Sequence, residues 1–230
     1  MVFKTTPQLA VDMLRRAVND GVAPGVVLGD SAYGSSSEFR EGVRKLGLDF
    51  GVGVDPKTTV WGLDSAERPH GDTVAVRELA HRIHDAGGFR RCTWRKGTNA
   101  DLSARFAARR VVTAHDDGWA RDERERLWLI IEWRDGEDEP ANYFLSSLPR
   151  RMTRKQLVRV LMQRWRTERV YEDLKGEFGL DHFEGRSFGG WHHHVSVALC
   201  CYAFIIAGRV RHFPPSARRM PQDRSFALAA

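Results

Sequence analysis

The sequence predicts an α/β fold in which a parallel strand-helix-strand unit leads into a strand-rich stretch and long helices close the chain. Three observations carry that reading. Two short apolar runs, Gly25 to Leu28 and Asp49 to Val54, bracket a helical pattern from Ser36 to Leu46. Strand-helix-strand order implies a parallel pair with a right-handed crossover. Between Thr58 and Ser147 β-rich runs dominate, and from Thr153 onward the pattern is helical again.

Each element has its own local signal. Thr6 to Asn19 reads as a helix, with Thr5 or Thr6 as cap and Pro7 in the first turn, and Gly21 and Pro24 end it. The strand from Gly25 delivers Gly29-Asp30 at its carboxyl end, followed by Ser-Ala-Tyr33-Gly34. Three serines cap the second helix and Gly47 stops it. Arg77 to His84 reads as a short helix. Arg90 to Arg95, Ala104 to Ala114 and Arg126 to Arg134 read as strands, the last pairing with Asn142 to Leu148 across the polar turn Asp135 to Pro140. One long helix is expected from Thr153 to Phe178 and another from Trp191 to Val210. The segments therefore read as residues 1–57, the first part of a core; 58–148, a β-rich insertion; 149–212, the helices that return to the core; and 213–230, a disordered basic tail.

Composition narrows the class. With 42% hydrophobic and 29% charged residues the chain reads as a soluble globular protein. A net charge of +6 favours a polyanionic partner. Cys92, Cys200 and Cys201 make a poor disulfide framework, being odd in number, and a poor zinc pair, two being adjacent on an apolar helix. Reduced thiols, no secretory leader and a cytoplasmic, nucleoid-associated location are expected. The apolar stretch Val195 to Ala207 is short for a bilayer and reads as a buried helix, with no membrane partner.

Chemistry concentrates in Arg164-Trp-Arg-Thr-Glu168-Arg-Val-Tyr-Glu-Asp-Leu-Lys175. On a continuous helix Arg164, Glu168 and Lys175 project within roughly 40° of one another, with Leu157 and Leu161 on or beside the same face. That predicts a carboxylate among apolar neighbours with cations above and below, as a metal-and-phosphate site needs. A solvated face laced with salt bridges is the alternative. Asp30, a lone acid after a buried strand, lies where open α/β sheets place ligands. Asp30 and Glu168 are hard oxygen donors suited to Mg²⁺ or Mn²⁺. From Arg150 to Arg169 there are eight Lys or Arg residues against one acid. Within that run Arg150, Arg151, Arg154, Lys155 and Arg159 read as a phosphate-binding surface, or as a solvated helix face. His192, His193 and His194 point about 100° apart on a helix and so cannot converge on one ion. His182 and Glu184 read as a turn that could border the site. Trp61, Trp94, Trp119, Trp128 and Trp133 crowd the insertion and read mainly as packing residues.

Gly-Asp30-Ser-Ala-Tyr-Gly after an apolar strand, about 130 β-rich residues, Arg164-x₃-Glu168-x₆-Lys175, then Gly190-Trp-His-His-His194 resemble the catalytic core of bacterial insertion-sequence transposases of the DDE superfamily. The resemblance implies an RNase H-like fold and DNA cleavage and joining by two-metal phosphoryl transfer. It also implies double-stranded DNA as partner at transposon ends and target, a homodimer on paired ends, and Mg²⁺ or Mn²⁺ as cofactor. Asp30 matches the second metal-binding Asp and Glu168 the third acid, while Arg164 and Lys175 match contacts to the DNA backbone. By the same resemblance an insertion tryptophan stacks on a flipped base. Leu161 stands where the family usually has Tyr, which puts one DNA-end contact in doubt. Asp12 and Asp20 lack the strand context of the family's first acid. The chain therefore reads as the C-terminal part of a transposase, inactive alone. A DNA-binding or dimerising regulator of the full-length enzyme, and a decayed remnant, are the alternatives.

Overall fold

The computed structural model describes residues 3–96, 101–114 and 124–212. They divide into two compact units, Met1–Arg164 and Trp165–Ala230.

The first unit opens with helix α1 (Thr6–Asn19), started by a capping box in which Thr5 accepts from the Gln8 N–H while the Gln8 side chain accepts from the Thr5 N–H. Strand β1 (Val27–Gly29) follows, then a single turn of helix, α2 (Ser31–Gly34), and α3 (Ser37–Lys45), which Ser36 caps. Strand β2 (Phe50–Gly53) runs parallel to β1, pairing Val27 with Phe50 and Gly29 with Val52. The strand-helix-strand unit thus forms as the sequence predicts. The short turn α2 is started by Asp30, whose side chain caps it. Helix α1 seats on α3 because Gly42 leaves room: a Cβ there would lie 2.8 Å from the Val11 side chain.

The rest of the sheet comprises β3 (Thr59–Leu63), β4 (Pro69–Ala75), β5 (Arg90–Lys96), β6 (Asp101–Thr113), β7 (Leu127–Trp133) and β8 (Asn142–Ser146), with helix α4 (Val76–Asp85) between β4 and β5. Strand order is β1-β2-β8-β7-β6-β3-β4, and β5 pairs with β6. Every ladder but β1–β2 is antiparallel. The strands expected as an insertion therefore continue the sheet of the parallel pair through the β2–β8 ladder. Strand β2 is paired on both edges: Gly51 pairs with Ser146, and the Ser146 hydroxyl donates to Phe50 O at 2.8 Å. Among the described residues β1 keeps one unpaired edge.

Alternation along the strands divides the core. Phe50, Val52, Leu129, Ile131 and Leu145 face α3 and α4, with Phe39, Val43, Ala80 and Ile83 across from them. Phe106, Ile130 and Phe144 face the other way, under Leu157, Val158 and Leu161 of helix α5 (Arg154–Leu161). Each fully buried aliphatic or aromatic side chain of this kind stabilises the fold by about 1.5–3 kcal/mol.

The long helix expected from Thr153 to Phe178 is not continuous. Helix α5 ends at Leu161, Met162–Arg164 form a 3-10 turn, and helix α6 (Trp165–Gly176) begins the second unit. No Pro or Gly marks this break. Its cause is tertiary: Leu157, Val158 and Leu161 are held on the sheet, and the apolar packing that anchors α5 ends at Met162, inside the 3-10 turn. Helix α7 (Phe188–His212) completes the second unit, where Phe178 packs edge-on against Tyr202 and His194 Nε2 meets Gly179 O at 2.9 Å. The expectation of a buried final helix is also corrected, since Ala198 is the one buried residue of α7. Its apolar residues run round the helix with no single buried stripe. By length and composition α7 could cross a bilayer, a test that a core helix of a soluble protein passes equally.

Candidate active site and nucleic-acid interface

Asp30 leaves β1 exposed to solvent, and its carboxylate accepts the Ala32 N–H at 3.0 Å. It is the N-cap of α2. The approach of α2 to β2 is unusually close: a Cβ on Gly34 would stand 1.8 Å from Gly53 O. Gly53 in turn lies against the Asp30 backbone, so β2 fixes the height at which Asp30 leaves the sheet.

Arg164 ends the 3-10 turn of the first unit, whereas Glu168 and Lys175 lie on α6 in the second. At seven residues apart Glu168 and Lys175 share one helix face, within roughly 20°. Both are exposed, as is Arg164. A carboxylate buried among apolar neighbours is therefore not what α6 presents. The break after Leu161 leaves the apolar flank, Leu157 and Leu161, in the sheet core of the first unit.

The cations expected to form a phosphate surface cluster in sequence around the start of α5. Arg150 and Arg151 precede the Thr153 cap, and Arg154 and Lys155 occupy the first turn. Arg150, Arg151, Lys155 and Arg159 are exposed. Arg150 Nε meets Glu67 at 3.0 Å, so a phosphate binding there competes with that carboxylate. Arg154 Nε is buried and makes no hydrogen bond among the described residues. Glu67, the one described non-glycine residue with positive φ (56°), stands in the β3–β4 turn and also approaches Arg110 at 3.9 Å. Burial holds the Arg110 guanidinium below its ordinary pKa.

Two arginine-tryptophan pairs lie in the strand-rich part: Arg110 over Trp128 at 5.3 Å and Arg124 over Trp61 at 6.0 Å. Spacing along the sequence gives no hint of them, because each joins residues far apart in the chain. Trp133 is buried and stacks on His84, and Trp94 packs edge-on against Phe106. Trp119 lies outside the described residues, as does the 213–230 tail. His192 packs against Phe188 and Trp191, and His182 and Glu184 are exposed. Asp12 is bound to Lys4 and to Arg15, and the hydrogen bond from Lys4, then that from Arg15, holds its carboxyl below the ordinary range.

Asp30 and Glu168 have the donor chemistry of a hard divalent cation. Among the described residues, however, no three His, Cys, Asp or Glu side chains gather into a group able to hold a metal ion.

Residues 1–101 match the family model described as DDE superfamily endonuclease. The matched stretch, 101 of 230 residues, covers α1 to β5 and includes Asp30; Glu168 lies beyond it. The match supports a DDE-superfamily nuclease, for which DNA is the substrate and divalent metals are general cofactors. The large mixed sheet is compatible with an RNase H-like fold. No curated protein matches the chain.

Proposed function

We propose that this chain serves DNA cleavage and joining as part of an insertion-sequence transposase. The observation that carries the reading is Asp30: it lies inside the stretch matching a DDE superfamily endonuclease and leaves the sheet at the carboxyl end of β1, beside parallel β2. In this reading Asp30 and Glu168 are the carboxylates that would bind Mg²⁺ or Mn²⁺. Arg164 and Lys175 contact the DNA backbone, and the cations at the start of α5 widen the contact. Bound metal would supply polarisation of the scissile phosphodiester. Asp12 lies in α1 and Asp20 at its end, neither on a strand as the family's first acid is, so the isolated chain is expected to bind DNA and to cut it poorly.

That helical setting of Asp12 and Asp20 favours a second reading, a DNA-binding or dimerising regulator with no cleavage of its own. One pair of measurements separates them. Binding of a labelled duplex is measured by anisotropy from about 50 to 200 mM salt, the range over which several phosphate contacts cost orders of magnitude in affinity. Nicking is followed in Mn²⁺ for the wild type and for Asp30→Asn and Glu168→Gln. Steep salt dependence with near-background nicking is the expected result. Efficient nicking that both variants abolish would overturn the expectation of weak activity. Nicking at background together with binding unchanged in Glu168→Ala and without metal would favour the regulator. Absence of salt-dependent binding would overturn both readings.

A further inference from the structure

A second polar site lies one short helix away from Asp30. The α2–α3 junction, the loop after β2 and the end of β6 enclose a pocket of about 230 Å³, lined by Ser35, Ser37, Arg40, Lys57, Thr58 and Thr113 among others. Hydroxyls and two cations are among the groups that line it. Arg40 is buried, and its guanidinium donates to Gly34 O, which fixes the positive charge against the α2–α3 turn. Lys57 is exposed and makes no ion pair among the described residues. Its loop is set by its own N–H donating to Asp55 Oδ1 at 2.8 Å and by the Thr58 N–H donating to Asp55 O. The lysine side chain is therefore the movable cation of the pocket and the arginine the fixed one.

Hydroxyl donors beside a rigid and a mobile cation suit a tetrahedral oxyanion with several acceptor oxygens. We infer that this pocket holds a phosphate of the DNA backbone, on the strand that passes Asp30. Ser35 caps the end of the helix that Asp30 caps at its start. Five residue steps at ~1.5 Å each place the two caps about 7.5 Å apart along the axis. That is the scale of two nucleotide steps at a rise of ~3.4 Å per base. The site rests on the reading of the chain as a DNA-processing protein, but it is a separate contact from Arg164, Lys175 and the α5 cluster.

The test uses the full chain and a labelled duplex, with the slope of log affinity against log salt as readout. Each phosphate contact contributes about 0.9 to that slope. Lys57→Gln is expected to flatten the slope by about 1 and to weaken binding several-fold at low salt. Lys45→Gln removes the same charge outside the pocket and is expected to leave both nearly unchanged. Ser37→Ala, which keeps the Ser36 cap and the charge, is expected to weaken binding without altering the slope. If the wild type binds DNA and Lys57→Gln does so equally well, or if Lys45→Gln has the same effect, the pocket assignment is wrong. If the wild type binds no DNA, the DNA-processing reading fails first. Thermal stabilisation by inorganic phosphate that Lys57→Gln abolishes, without any DNA binding, would make this a free-phosphate site and overturn the backbone assignment.

Discussion

The Asp30 carboxylate accepts the Ala32 N–H, so the residue proposed for chemistry also starts α2. Substitution can separate the two roles. Asn keeps an oxygen that caps and loses the charge; Ala loses both. Asp30→Ala is expected to cost about 1 kcal/mol in urea melting, while Asp30→Asn stays close to wild type. Both should weaken Mn²⁺ binding as followed by water-proton relaxation. Equal Mn²⁺ binding in the wild type and Asp30→Asn would reduce Asp30 to a structural cap. Much at this scale was legible in the chain: the Thr5, Ser36 and Thr153 caps all form, and Asp30 ends its strand as predicted. The exposure of Glu168 was not, because it depends on where a helix breaks. The Arg40–Lys57 pocket was equally hidden, since residues distant in sequence line it.

Among the elements, α4 is tied to the turn between β7 and β8 by one carboxylate. Glu139 takes Arg77 Nη2 at 2.5 Å and Nε at 3.0 Å, with His81 Nε2 at 3.1 Å. The Arg77 hydrogen bond first, then that from His81, lowers the Glu139 carboxyl from 4.5 to about 2. A depressed folded-state pKa contributes stability that is complete above the ordinary value and lost as pH falls through the folded one. The urea midpoint of the wild type should therefore exceed that of Glu139→Gln slightly at pH 7, and the gap should close between pH 4.5 and 2. A gap of the same size at pH 2.5 would contradict the assignment. Element type followed the periodicity well for α1, α3, α4 and the β7–β8 hairpin. Strands β3 and β4 escaped notice, although Thr59-Val-Trp61 is rich in β-formers, because Gly62 and Gly71 interrupt both runs. The 3-10 turn at Met162–Arg164 escaped for a different reason: its residues are good helix formers, and only packing on the sheet stops α5.

Across the whole molecule burial is lopsided. Among the described residues, Leu174 and Ala198 are the only buried apolar ones beyond Arg164. Amide exchange measured by mass spectrometry should accordingly be slowest in β6, β7 and β8 and markedly faster in α7. Equal protection in α7 and β7 would show that α7 is covered in solution. The parallel pair and the antiparallel block were both foreseeable from alternation and turn residues, but their union in one sheet was not, because nothing local encodes a pairing of Gly51 with Ser146. That ladder also orders events in time. Strand β1 has β2 as its one neighbour among the described strands, and β2 is flanked on its other side by a partner some 96 residues further on. Closing so large a loop is entropically costly and slows folding. On the ribosome the strand that ends at Asp30 emerges well before β8 yet waits for it, so β1 is secured late.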